Sequence, residues 1–162
     1  MKRLHISNSD KVALIDDEDF VRVAIHNWRF DNCRITSVTS LNGQKFNRTL
    51  AGLIMRDHKN MYDHKDRDPF NNQKENLRIA TKSQNKANTP KYKRSDSDSK
   101  YKGVSLNMRE RSKTTLWKAR IRVNGKLIYL GSFHLEEEAA LAYNQAAIKY
   151  FGEFACINEI KS

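Results

Sequence analysis

The sequence predicts an α+β protein made of two small units, and three observations carry that prediction. Residues 101–162 hold a strictly alternating strand, an Asn-Gly turn and an alanine-striped helix. Residues 63–88 run from an Asp-His pair through an Asn-rich loop and a short apolar run to a polar helix start. The third observation is bulk: 162 residues with a mean hydropathy of −0.80 allow one compact domain or two small ones, each with a modest core. The formal charge of +11 suits a polyanion, with nucleic acid first among them. No apolar run approaches the roughly 20 residues that span a bilayer, so no membrane association is expected. Cys33 and Cys156 lie far apart and form no CxxC, and no secretory segment is seen. A reduced, cytoplasmic setting follows as the expectation.

From the start of the chain, Val12–Ile15 reads as a strand. Asp16 or Asp17 is placed to cap a helix over Glu18–Asn27, whose Phe20, Val23, Ala24 and Trp28 fall at near-helical spacing and are expected in the core. Arg34–Ser40 and Lys45–Leu50 flank Asn42-Gly43, the strongest short hairpin signal, because both turn residues tolerate φ > 0. Arg34, Lys45 and Arg48 on this hairpin either track phosphates or form a solvated face. Thr89–Lys100 has no apolar period and a Pro, Ser and charge bias, which reads as a linker.

Beyond the linker, Lys118, Arg120 and Arg122 alternate with Trp117, Ala119, Ile121 and Val123, giving a strand with one basic and one apolar face. Asn124-Gly125 then fixes the register of a tight hairpin. Val123 falls opposite Lys126, Arg122 opposite Leu127 and Arg120 opposite Tyr129, so Arg120, Arg122, Leu127 and Tyr129 share the outer face and Trp117 points inward. Residues 136–150 place Ala139, Ala140, Tyr143, Ala146, Ala147 and Tyr150 on one helical stripe. Residues 101–133 carry eight basic side chains against one acid, whereas the helix is acidic. A basic sheet backed by an acidic helix is what pressing a sheet on DNA requires.

The central stretch carries the chemistry. Phosphodiester hydrolysis needs an activated water, a charge sink on the phosphate and help for the leaving oxygen. A carboxylate and an amide carbonyl can hold a hard cation, and a neutral imidazole oriented by a second hydrogen bond can take the proton. Asp63, His64, Asn76 and Asn85 can supply these parts. Asn76 and Asn85 follow His64 by 12 and 21 residues. Leu77–Ala80 can form a return strand, and Thr81 can cap a short helix that carries Asn85. EF-hand spacing fails at Phe70 and Leu77, and the other histidines form no zinc-ligand pattern.

Asp63-His64, Asp68-Pro69, Asn72, Glu75-Asn76-Leu77-Arg78, Ala80-Thr81 and Gln84-Asn85 together resemble the HNH, or ββα-metal, nuclease motif in the Asn-ending form of phage and intron homing endonucleases. The resemblance implies that His64 is the general base, that Asp63 and Asn85 bind the metal, that Asn76 orients the histidine and that Asn72 is a structural loop residue. An oxygen ligand at Asn85 favours Mg²⁺ or Mn²⁺ over Zn²⁺. Two departures concern the loops: Lys65-Asp66-Arg67 stands where the family often has Ile-Asn-Gly, and Ala51-Gly52 stands where it often has a histidine.

Tyr101–Val104, Trp117, Ala119, Ile121, Tyr129–Phe133, Glu137–Ala140, Ala142-Tyr143, Ala146-Ala147 and Phe151-Gly152 resemble the plant APETALA-type, ethylene-response-factor DNA-binding domain. That family packs a three-stranded antiparallel sheet on one helix. By this resemblance Lys102, Gly103, Ser105, Arg120, Arg122, Leu127 and Tyr129 fall on DNA-facing positions. Ser105 and Leu127 stand where plant members usually have Arg, and Arg120 where they usually have Glu, so the plant target sequence does not transfer. Leu135 replaces the usual Thr at the helix start and predicts a weaker cap.

The expected organisation is a nuclease domain over 1–88 with its ββα-metal core at about 60–88, a linker over 89–100 and a DNA-binding domain over 101–162. The expected function is a metal-dependent homing-type endonuclease that nicks double-stranded DNA as a monomer, in the host cytoplasm if phage-encoded. The alternative is a DNA-binding or regulatory protein whose nuclease fold is inert.

Overall fold

The computed structural model describes residues 1–41, 44–91, 98–107 and 116–160. The chain is mixed α+β and divides into two compact units, Met1–Thr81 and Lys82–Ser162.

In the first unit, β1 (Lys2–His5) pairs antiparallel with β2 (Val12–Ile15). After one tight turn at Asp17–Asp19 comes α1 (Phe20–Ala24). This helix is far shorter than the expected Glu18–Asn27. The carbonyl of Val23, which would accept the Asn27 N–H in a longer helix, instead accepts the Trp28 indole N–H at 2.8 Å. The β-branched Val21, Val23 and Ile25 add little helix propensity to resist that ending. Asp16 makes no side-chain bond to the turn that follows it, so the expected cap is absent. Of the four residues expected in the core, Trp28 and Val23 are buried with Ile6, Ile15, Leu50 and Ile54 around them, Phe20 is half-buried and Ala24 is exposed.

A three-stranded antiparallel sheet follows, with β3 (Arg29–Asp31), β4 (Arg34–Leu41) and β5 (Gln44–Thr49) in that order. The expected Asn42-Gly43 turn lies outside the described residues. Thr49 caps α2 (Leu50–Ile54) by accepting the Gly52 N–H at 3.1 Å. Then β6 (Tyr62–His64) and β7 (Leu77–Ile79) pair antiparallel, with Asp63 opposite Arg78 and His64 opposite Leu77.

The second unit begins with α3 (Lys82–Asn88), so the helix start assigned from sequence to residues 1–88 is counted here. Its sheet has the order β10-β9-β8, where β8 is Val104–Asn107, β9 is Leu116–Val123 and β10 is Lys126–Phe133. All pairings are antiparallel. The register is the one the Asn-Gly turn predicts: Lys126 opposite Val123, Leu127 opposite Arg122, Tyr129 opposite Arg120. A bulge at Leu130 then shifts the pairing, so that Ser132 rather than Gly131 faces the same side as Tyr129. The helix α4 (Glu136–Phe151) packs Ala139 and Ala140 against Val104, Ala119 and Tyr101, with Trp117 partly buried at the edge. Small side chains on the stripe let helix and sheet approach closely. The Leu135 side chain has no acceptor to offer the helix start, and only half of a capping box remains: the Glu138 carboxylate takes the Leu135 N–H at 3.3 Å.

The ends of the predicted linker are tied into this unit. Lys91 donates to the carbonyls of Ser99, at 2.5 Å, and Tyr101, at 3.0 Å, while the buried Ser99 donates to Glu136 at 2.6 Å. Residues 92–97, with Lys93 and Arg94, lie outside the described residues.

Candidate active site and basic sheet face

Asp63 and His64 point from a two-stranded ribbon whose strands are joined by a polar loop, residues 65–76. Period-two geometry puts them on opposite faces. Asp63 is buried, and its Oδ2 accepts two bonds from Arg78 across the ribbon, from Nε at 3.0 Å and Nη2 at 2.8 Å. The pairing register therefore sets the Arg78 guanidinium against Asp63. Sequence reasoning placed Arg78 in the motif without giving it this role.

The loop is folded by its own side chains. Arg67, at φ 68°, turns the chain back so that its N–H meets the His64 carbonyl at 3.0 Å. Asp66 is the hub. It accepts from the Asp68 N–H at 2.8 Å, the Asn76 amide at 2.9 Å and the Asn71 amide at 2.7 Å. Burial alone would raise the Asp66 pKa. These three bonds and the nearby His64 ring outweigh it and hold the carboxyl below its ordinary value. The paired Asp66 and Asp68 are an Asx-turn signal that could have flagged this hub from sequence.

Asn76, expected to orient the histidine, spends its amide inside the loop. It donates to Asp66 and to the Asn71 carbonyl at 2.7 Å, and its oxygen accepts the Asp66 N–H at 3.1 Å. The side-chain amide found against the His64 ring belongs instead to Asn72, expected to be structural, with its Oδ1 3.2 Å from Nε2. Asn72 is almost fully buried, and its Nδ2 donates to the Pro69 carbonyl at 2.9 Å. That bond fixes which end of the amide is oxygen, so Nε2–H is the donor to Oδ1, and in the neutral form of the ring the lone pair sits on Nδ1.

The loop is held from outside by β2. Leu14 donates to the Phe70 carbonyl at 2.7 Å and accepts the Asn72 N–H at 2.8 Å. Asp16 accepts the Lys74 N–H at 2.9 Å and the Gln73 amide at 3.3 Å. One of the two residues expected to cap α1 thus bonds the turn that carries Asn76 instead. No sequence signal links positions so far apart.

Asp63, His64 and Asn76 stand in the first unit. Asn85 stands in the second, on α3, where its carbonyl accepts the Thr89 hydroxyl at 3.2 Å. Among the described residues no group of three or more His, Cys, Asp or Glu side chains gathers as a metal site. The donors that the motif offers are one carboxylate and one amide oxygen. Such a set fits a hard cation that completes its shell with phosphate oxygens and water, and it does not fit structural zinc.

In the second unit, Arg120, Arg122, Leu127, Tyr129 and Ser105 share the sheet face opposite α4. Arg120 Nη2 donates to Ser105 Oγ at 3.0 Å, Arg122 Nη1 to the Gly125 carbonyl at 2.8 Å, and the Tyr129 and Ser132 hydroxyls lie 2.6 Å apart. Two of the seven expected DNA-facing residues have structural roles. The Lys102 ammonium donates to the carbonyls of Ala87, at 2.7 Å, Lys86, at 3.3 Å, and Thr89, which closes the C-terminal end of α3. Gly103, at φ 76°, has no room for a side chain, because a Cβ would stand 2.0 Å from the Tyr143 ring. The basic residues Arg109, Arg111 and Lys113 lie outside the described residues.

No protein-family model matches the chain. It is 40% identical over 98 residues to an uncharacterized HNH endonuclease of Acanthamoeba polyphaga mimivirus, a match covering 60% of this chain and 46% of the viral protein. It is 47% identical over 62 residues to an ethylene-responsive transcription factor of Arabidopsis thaliana, a match covering 37% of this chain and 14% of the plant protein. The chain thus spans less than half the length of either relative. No described helix is long and apolar enough to cross a membrane.

Proposed function

We propose that this chain is a metal-dependent HNH-type DNA endonuclease of the homing kind, which nicks double-stranded DNA under the direction of its C-terminal sheet. The observation that carries the reading is His64. Its ring is set by a buried amide whose own orientation is locked by the Pro69 carbonyl. A general base needs a neutral imidazole with its lone pair aimed and its other nitrogen donating. In this proposal His64 Nδ1 takes the proton of the attacking water, Asn72 holds the ring, and Asn76 with Asp66 holds the loop. Arg78 fixes the Asp63 carboxylate with two bonds to one of its oxygens.

Asp63 and Asn85 are the proposed ligands of Mg²⁺ or Mn²⁺, on the strength of the sequence motif. The cation would supply charge neutralisation on the phosphate. Arg120, Arg122 and their neighbours supply the contact to DNA, supported by the net positive face and by the similarity to a transcription factor. A single motif per chain supports nicking by a monomer.

A second reading rests on the same Arg78: two bonds to one carboxylate oxygen already balance the Asp63 charge, and a protein so balanced could bind DNA without cutting it. Supercoiled plasmid separates the two. The endonuclease reading expects Mg²⁺-dependent conversion to open circles that EDTA stops and that Asp63→Ala loses. Intact plasmid at every Mg²⁺ and Mn²⁺ concentration, with binding retained, selects the inert reading.

A further inference from the structure

Among the exposed side chains described on the outer sheet face, Leu127 is the one whose chemistry the proposed contact with phosphates does not use. It stands 52% exposed, directly across from Arg122 and two residues from Tyr129. Nothing polar on that side chain can meet a phosphate, and an isobutyl group among two guanidiniums and a phenol gains nothing from water. Both guanidiniums beside it are steered by the protein: Arg120 by Ser105 and Arg122 by the Gly125 carbonyl. Around Leu127 the face therefore presents donors steered by the protein beside an exposed apolar projection.

On the floor of the major groove, the apolar group that one base offers and the others lack is the thymine 5-methyl. The groove is wide enough for a two-stranded ribbon such as β9–β10. We propose that Leu127 is a specificity residue that reads a thymine methyl, and that the preferred site places this thymine next to a guanine facing Arg120 or Arg122. Guanine follows because its O6 and N7 accept two bonds from one guanidinium. The proposal rests on the reading of this sheet as a DNA-facing surface.

The test starts by selecting a preferred duplex for the full chain from a randomised pool. Each thymine of that duplex is then replaced singly by deoxyuridine, which removes one methyl and nothing else. At one thymine, next to a guanine, the unmodified protein should lose about 3- to 5-fold in affinity, the size expected for one buried methyl. Leu127→Ala should bind the thymine duplex more weakly and show no further loss with uracil. Leu127→Arg should move the preference at that position from thymine to guanine. Because the side chain is half exposed, both variants should keep the thermal midpoint of the parent.

Uracil tolerated at every position, or a uracil penalty that persists in Leu127→Ala, overturns the inference while leaving the sheet as a reader. Failure to enrich any duplex over random DNA overturns the reader assignment itself, and the inference with it.

Discussion

The loop around His64 and the outer face of β8–β10 are both polar, yet they are built in opposite ways. In the loop, Asp66, Asn71, Asn72 and Asn76 bond mainly to one another and to nearby backbone, and Asn72 is nearly sealed from water. On the sheet, Arg120 and Arg122 are exposed and each shows one hydrogen bond to the protein, while Leu127 and Tyr129 project into solvent. A network that has spent its donors internally can hold one geometry, which is what proton transfer needs. A surface with donors to spare can be satisfied by a partner, which is what recognition needs. The difference teaches where cutting and choosing are expected to separate.

The largest effect should come from the base. His64→Ala should lower the Mg²⁺-dependent nicking rate by about 10²- to 10⁴-fold, the usual worth of a positioned general base, with affinity for the selected duplex unchanged. Single-turnover nicking beside a binding titration checks both halves. Asn72→Ala should come next. Losing the partner that sets the ring should cost about 10- to 100-fold in rate. Leaving the Pro69 carbonyl without its donor should cost about 1–3 kcal/mol in stability. Thermal melts alongside rates will show whether a rate loss exceeds what unfolding explains.

On the other side of the comparison, Arg120→Ala should weaken binding to the selected duplex by about 5- to 150-fold, the range of one bidentate base contact. The nicking rate at saturating protein should stay as it was. If that rate also collapses, the two regions do not divide the work as argued.

The smaller effects probe the loop alone. The Asp66 carboxyl is held below its ordinary pKa, so the stability it contributes is complete above the unfolded value, near 4, and is lost as pH falls through the folded value. Acid titration followed by NMR should show the loop amides of Asp68 and Asn76 losing protection in that window, and Asp66→Asn should remove the dependence. Arg67→Gly should be mildly stabilising, by up to about 1 kcal/mol, because a φ of 68° strains an arginine and not a glycine. A melt of the variant settles the sign.

Much of this was legible in the sequence wherever neighbours decide structure. Asn124-Gly125 set the register of β9 and β10 because a two-residue turn leaves no choice of pairing. The alternation of Arg120 and Arg122 with Ala119 and Ile121 likewise gave the exposed and buried faces. What escaped depends on contacts between distant segments. Asp16 reads as a helix cap until β2 is seen lying along the loop, where it bonds Lys74. Asn72 and Asn76 are the same residue type in one loop. Only the path imposed by Leu14 on Phe70 and Asn72 decides which of them meets His64. Lys102 reads as one more cation for DNA, but α3 ends beside it with carbonyls to satisfy.

The claim that cutting belongs to the loop and choice to the sheet is tested most directly by mapping nicks on a long duplex containing the selected site. His64→Ala and the double variant Arg120→Ala/Arg122→Ala would be compared with the parent. The account predicts that His64→Ala still protects the site from a footprinting reagent but leaves both strands whole, whereas the double variant still nicks but at scattered positions. A His64→Ala protein that nicks at the parental rate, or a double variant that keeps the parental nick site, would contradict it.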